Sequence, residues 1–315
     1  MSYYLFNTTL PFSGIKFYYR ELSSKEQLLL IKANAVLPLD EDHAEEYGNV
    51  LREVIANCVK TPSDLKHINL IDYILLVSKI RSTSIGDTID LQLKNDSEEH
   101  KGLTLKTSLY IPEFMQRLYN AAVTGIGYNE ITEKDLTVYL DWPNLDAEGF
   151  FLKKHNNKDS MEFVLESLPE FIKLIELKDK NINFENYTSQ QRQNLYESLP
   201  IRTQLNIQKI VINGIKELAD CNILNVKMTN YMKLSFYNNS YQSVFRLFFS
   251  ENLQKIYQEY FILASKNLSP ECVDKLTIGE RGVYCSFVEE EMKASRSGSP
   301  AGKRTVEDLE REFGG

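Results

Sequence analysis

The sequence has no apolar run near the ~18 residues that a membrane-crossing helix needs, and no basic cluster longer than Lys303-Arg304. The first absence excludes a helical membrane span. The second argues against nucleic acid, because affinity for it comes largely from neutralising phosphates with Lys and Arg. A formal net charge of −8 points the same way. Cysteine is scarce and scattered: Cys58, Cys221, Cys272 and Cys285 form no Cys-x-x-Cys pair. Neither a zinc module nor a disulfide framework is expected from that spacing, which fits free thiols in a reducing compartment. The four histidines are equally dispersed. His43, beside Asp42 and Glu46, reads as a solvated helix face and not as a metal site. Residues 1–14 lack a basic stretch leading into an apolar one, so no secretory signal is expected.

The signatures of catalysis are missing too. There is no G-x-S-x-G, no H-E-x-x-H and no P-loop. Gly125-Ile126-Gly127 offers two glycines of a nucleotide loop, but Glu130 stands where the third belongs, and a helix pattern precedes it where a strand should. It reads as a turn. No catalytic residue, cofactor or metal ligand is expected, and the chain reads as a non-enzymatic protein.

What is present is ordinary globular material, with 43% hydrophobic and 25% charged residues. At 315 residues the chain exceeds the size at which single cores stop growing. Two lobes are therefore expected, divided in the polar stretch from Lys153 to Asp159. The N-terminal lobe, 1–152, begins with two β-prone stretches around Ser13-Gly14, a hairpin pattern. Ser23 and Glu26 form a capping box opening a helix through Ala33. A second helix has apolar positions at Tyr47, Leu51, Val54, Ile55 and Cys58, at three- and four-residue steps. Leu65 to Ile80 is apolar almost all round and predicts a buried central helix. Two alternating stretches, Thr88–Leu93 and Leu103–Leu109, predict strands. A helix from Pro112 to Val123 and a strand from Leu136 to Trp142 complete this lobe.

The second lobe, 153–293, reads as helical, with the Met161–Leu177 pattern kinked or divided at Pro169. Thr188/Gln191 and Thr277/Glu280 are further capping boxes, and Ser269-Pro270 caps a short helix. The fold class expected is α+β, predominantly α-helical, with small N-terminal β elements packed on helices and a helical C-terminal lobe. Residues 294–304 have the composition of a flexible linker. In 305–315, Val306, Leu309 and Phe313 share one face of a short helix, with Thr305 as N-cap. Two turns are marginal alone in water, so this tail is a binding peptide, a segment that folds back on its own body, or a frayed terminus. Arg81, Ser84 and Gly86, in Arg81-Ser82-Thr83-Ser84-Ile85-Gly86-Asp87, are a second candidate for partner contact; the same segment also reads as a helix–strand corner with Gly86 turning the chain.

The order of several segments resembles the baseplate hub proteins of T4-like contractile-tailed phages. They are Leu10-Pro11-Phe12-Ser13-Gly14, Arg20, the helix from Lys25 to Leu30, Asn57-Cys58-Val59, Leu70 to Leu76, and Arg81 to Asp87. Phe248-Phe249, Leu253, Tyr257, Phe261, Ser269-Pro270 and Glu280-Arg281 extend it to about Lys293. Where such relatives place a Cys-x-x-Cys pair, this chain has Cys221 and Leu224. The resemblance implies a phage tail component: a hub subunit, or a chaperone for assembly of the hub and the tape measure. Its partners would be other tail proteins, and its place the virion baseplate, or the host cytoplasm during assembly. The alternative is an intracellular protein-binding adaptor or chaperone unrelated to phage.

Overall fold

The computed structural model describes residues 5–37, 44–94, 104–127, 129–144, 160–220 and 245–296. It is a predominantly helical α+β structure with small antiparallel sheets. Strands β1 (Phe6–Thr9) and β2 (Lys16–Tyr19) form the expected hairpin. Its turn is closed by Gly14 N–H donating to Leu10 O at 3.0 Å, with Gly14 at φ 69°. Helix α1 (Ser24–Val36) begins on the predicted capping box, Ser23 and Glu26 each accepting the other's backbone N–H. Helix α2 is Ala44–Cys58. After it, residues 58–60 pair with the outer side of β2 through Arg20 N–H to Cys58 O and Lys60 N–H to Tyr18 O.

The central helix α3 (Leu70–Ile85) is buried around most of its circumference, as its all-round apolar sequence demands. Its limits differ from those read in the sequence. Pro62–His67 forms a separate 3-10 turn, and Asn69 caps α3 by accepting from Asp72 N–H at 2.9 Å. At its other end the helix takes in Arg81 to Ile85, so this segment is its last turn and not a loop beyond it; Gly86, at φ 116°, ends it. Strands β3 (Thr88–Lys94) and β4 (Thr104–Tyr110) then form a two-stranded ribbon leading into α4 (Ile111–Gly125).

Strands β5 (Glu130–Glu133), β6 (Leu136–Leu140), β7 (Ile172–Leu177) and β8 (Lys180–Asn183) make a four-stranded antiparallel meander. Here the structure corrects the expectation of a helix through Leu177. Helix α5 (Ser160–Ser167) stops at a 3-10 turn containing Pro169, and β7 follows. Ile172 and Ile175 are buried on this strand while Lys173 faces solvent, and the chain reverses at Lys178-Asp179 to make β8. Pairing with β6 overrides a weak helical period. The sheet joins strands from both sides of the division expected at 152/153, which itself lies outside the described residues.

Helices α6 (Ser189–Glu197) and α7 (Ile201–Asp220) follow, α6 starting on the predicted Thr188/Gln191 box. After a helical turn at 245–248 come α8 (Leu253–Ala264), α9 (Pro270–Lys275) and α10 (Ile278–Arg296). Helix α10 begins on the Thr277/Glu280 box and runs three residues into the stretch expected as linker. One apolar core reaches from Leu10 through α3 and α4 to Phe245, Phe248 and Phe249. A smaller cluster of Leu263, Val273, Cys285 and Val288 binds α8, α9 and α10 to one another.

Candidate functional site

The residues singled out in the sequence lie in three kinds of place. Arg81 and Ser84 are interior, 3% and 6% exposed. Arg81 Nε donates to Phe248 O at 3.1 Å, one Nη donates to Gly86 O, and the other reaches Glu251 Oε1 at 3.4 Å. Ser84 Oγ donates to Ile80 O at 2.6 Å and accepts Leu22 N–H at 2.9 Å. Both side chains are thus used within the fold. Gly86 is at the surface, where its positive φ turns the chain into β3. Val306, Leu309 and Phe313 lie outside the described residues, as do Cys221 and Leu224.

Arg81 belongs to a set of arginines, buried except for the partly buried Arg20, that fasten distant segments. Arg246, 5% exposed, donates to Leu37 O at 2.9 Å and stacks its guanidinium over the Tyr47 ring at 4.7 Å. Arg281, 3% exposed, donates to Gln27 Oε1 at 2.6 Å and to Glu259 Oε2 at 2.9 Å. Arg20 spans Glu26 with two N–H···O bonds of 2.8 and 2.7 Å and also donates to Asn57 O. Such planar, multi-donor heads satisfy several buried acceptors at once, which ammonium groups cannot do as well. Burial lowers the Arg81 pKa below its ordinary value, opposed by the Glu251 and Asp87 charges. The same burial raises Glu251, opposed by Arg81.

At the hairpin tip, Asp72 accepts Phe12 N–H at 3.2 Å and Ser13 N–H at 2.7 Å. Beside it a cavity of about 40 Å³, lined among others by Asn69, Asp141, Lys173, Glu170 and Arg192, has room for a water molecule and little more. Four of its charges are mutually paired, Lys173 with Asp141 and Arg192 with Glu170, and Glu185 accepts from Asn144 Nδ2 at 3.2 Å. Among the described residues no group of three or more His, Cys, Asp or Glu side chains is placed to hold a metal, and no helix is long and apolar enough to cross a membrane.

The surface above this interior is different in character. On α1, Leu29 is 39% and Val36 75% exposed; on the adjacent α8, Tyr257 is 47% and Phe261 76% exposed. Tyr257 and Phe261 are four residues apart and so share a face. Lys32 of α1 places its Nζ 5.5 Å from the Tyr257 ring centre, which joins the two helices into one strip. Sequence reasoning noted these aromatics as segment composition and did not separate Phe261 from the buried Phe245, Phe248 and Phe249. The signal available was amphipathic period: on α8, Ile256 and Leu263 face in while Tyr257 and Phe261 fall off that stripe.

The architecture is that of a helical α+β body whose polar interior is committed to holding itself together. The chain belongs to the family of T4 bacteriophage base plate proteins, whose model matches residues 1–225. It is therefore a T4-like phage baseplate protein. No curated protein and no solved structure matches it.

Proposed function

We propose that this baseplate protein acts without catalysis in the hub, by binding other tail proteins, either as a hub subunit or as a chaperone for assembly of the hub and the tape measure. The observation that carries the reading is the strip of Leu29, Val36, Tyr257 and Phe261 on helices whose opposite faces are buried, α1 in the main core and α8 through Ile256 and Leu263. Exposed aromatic anchors flanked by aliphatic side chains are the usual energetic centre of a protein–protein contact. The tail face of Val306, Leu309 and Phe313 is a second binding element in this reading. Family membership weighs against an adaptor unrelated to phage.

Co-expression with the hub and tape-measure proteins of the same phage tests this. Wild-type protein should co-purify with at least one of them, and Phe261→Glu should lose that partner while melting within a few degrees of wild type. Co-purification undiminished in Phe261→Glu would remove the strip as the contact. Quantitative mass spectrometry separates the two roles. A hub subunit persists in purified particles at fixed stoichiometry, whereas a chaperone is abundant in infected-cell lysate and missing from particles.

A further inference from the structure

Between the N-terminal hairpin and the last helices lies a groove of about 1000 Å³. Leu5 and Phe6, at the start of β1, line one side of it, and α9 with the first turn of α10 lines the other. The two sides are joined where Ser23 and Thr277 form an antiparallel bridge and Ser24 N–H donates to Leu276 O at 2.7 Å. We propose that this groove takes an arginine-bearing segment of a tail protein, with the guanidinium between Glu21 and Glu280 and an apolar side chain against Leu5 and Phe6. This rests on the reading that the chain binds other tail proteins, and adds a further contact together with its chemistry.

Charge selects the occupant. Four carboxylates line the groove: Glu21, Glu271, Asp274 and Glu280. Two of them are held by neutral groups, Asp274 by the Tyr260 hydroxyl at 2.9 Å and Glu280 by Thr277 N–H at 2.7 Å. Against the four stand Lys25 and Lys275, while Arg20 is committed to Glu26 through two bonds. Negative charge is therefore in excess. Burial pushes the Glu21 carboxyl above its ordinary value, a Thr277 hydrogen bond opposes this, and the charge of Glu280 adds to the rise. A cation that reaches both carboxylates offsets the desolvation and ends their repulsion. A planar guanidinium spans two acceptors with parallel N–H groups, which an ammonium does not.

Other occupants fit less well. An acidic lining repels nucleic acid and anionic lipid. Among the described residues no group of three or more His, Cys, Asp or Glu side chains is placed to hold a metal, which leaves an organic cation. The volume is at the upper end of small-molecule sites and the rim is open, Leu5 being 76% exposed, which suits a chain segment lying across it. The groove also borders the strip, since Lys25 stands one helical turn before Leu29 on α1. A single partner can therefore reach both.

The probes are overlapping synthetic peptides from the hub and tape-measure proteins of the same phage, titrated by fluorescence anisotropy against the full chain. At least one arginine-containing peptide should bind, and changing its arginine to glutamine should weaken it about tenfold. Glu21→Gln with Glu280→Gln should weaken the native peptide to a similar degree, as should salt at about 1 M. Glutamine at 280 keeps the capping box with Thr277, so this double variant should melt with wild type. A second measurement leaves the carboxylates unaltered: the photo-reactive residue p-benzoylphenylalanine at position 5 should cross-link the bound peptide on irradiation. Binding undiminished in the double variant, or no peptide cross-link from position 5, would overturn the proposal. Cross-links between isotopically light and heavy chains as the main product would assign the groove to a second copy instead. Groove and strip fail separately. If no peptide binds but Phe261→Glu still abolishes co-purification, the groove is wrong and the strip remains a partner site. If the peptide binds as expected but Phe261→Glu leaves co-purification intact, the strip is wrong and the groove stands.

Discussion

Glu26 serves four groups from one carboxylate. It receives Arg20, accepts Ser23 N–H at 2.8 Å and Ser23 Oγ at 3.0 Å, and lies 3.8 Å from Cys58 Sγ. Burial pushes its pKa up, but the Arg20 and Ser23 hydrogen bonds and the Arg20 charge outweigh it and leave Glu26 below the ordinary value of 4.5. A carboxylate lowered on folding contributes stability above its unfolded pKa and loses it as pH falls through the folded one. Glu26→Gln should therefore cost about 1–3 kcal/mol near neutral pH, with the gap to wild type closing below about pH 4.5. Urea denaturation across pH 3 to 8 would show this, and a gap independent of pH would refute it. Gly86 provides a second test at this scale. A Cβ there meets nothing within 4 Å, yet φ is +116°, so Gly86→Val costs backbone strain and not a clash. A loss of about 1–3 kcal/mol by thermal unfolding is expected. The three capping boxes were readable because donor and acceptor sit three residues apart. The partner of Arg81 was not, because Phe248 is 167 residues away and no local pattern encodes it.

Among the elements, the contact of α4 with α7 depends on two glycines meeting back to back. A Cβ on Gly125 would lie 2.8 Å from Gly214 Cα, and one on Gly214 would lie 2.3 Å from Ile126 Cγ1. Ile126 is fully buried, so its side chain can yield only by displacing core neighbours. Gly214→Ala should separate the helices at a cost of about 1–3 kcal/mol, despite alanine's higher helix propensity. A melting temperature equal to wild type would show that the crossing can relax. Gly125-Ile126-Gly127 had been readable as a turn, and Gly127 does follow α4; that Gly125 also admits a second helix was not, since Gly214 lies far along the sequence. The helices with long amphipathic or all-apolar patterns were legible for the opposite reason, as period alone defines their buried face. The strands β7 and β8 were not, because β7 reads as strand only beside β6.

For the whole molecule, the family match ends at residue 225, while Phe245, Phe248, Phe249, Arg246 and Arg281 lie beyond it and complete the core of what precedes. A chain ended at 225 would take Phe245 and Phe248 away from the rings of Tyr73 and Phe114, and would open Arg81 to water by removing its partners Phe248 and Glu251. Such a chain should lack a cooperative melting transition, whereas residues 1–296 should melt with the full chain. Cooperative unfolding of 1–225 would show that the later helices are an addition to a finished body.

The bond from Gln27 to Arg281 spans 254 positions, and Ser24 N–H is tied to Leu276 O nearby. Translation runs at about 5–20 residues per second, so α1 leaves the ribosome roughly 13 to 50 s before the residues that seat it. During that interval Ser24 and Gln27 wait for the partners that seat α1, and apolar surface exposed in the meantime leaves a nascent chain prone to aggregate. The first helix to be made is thus among the last to be fastened.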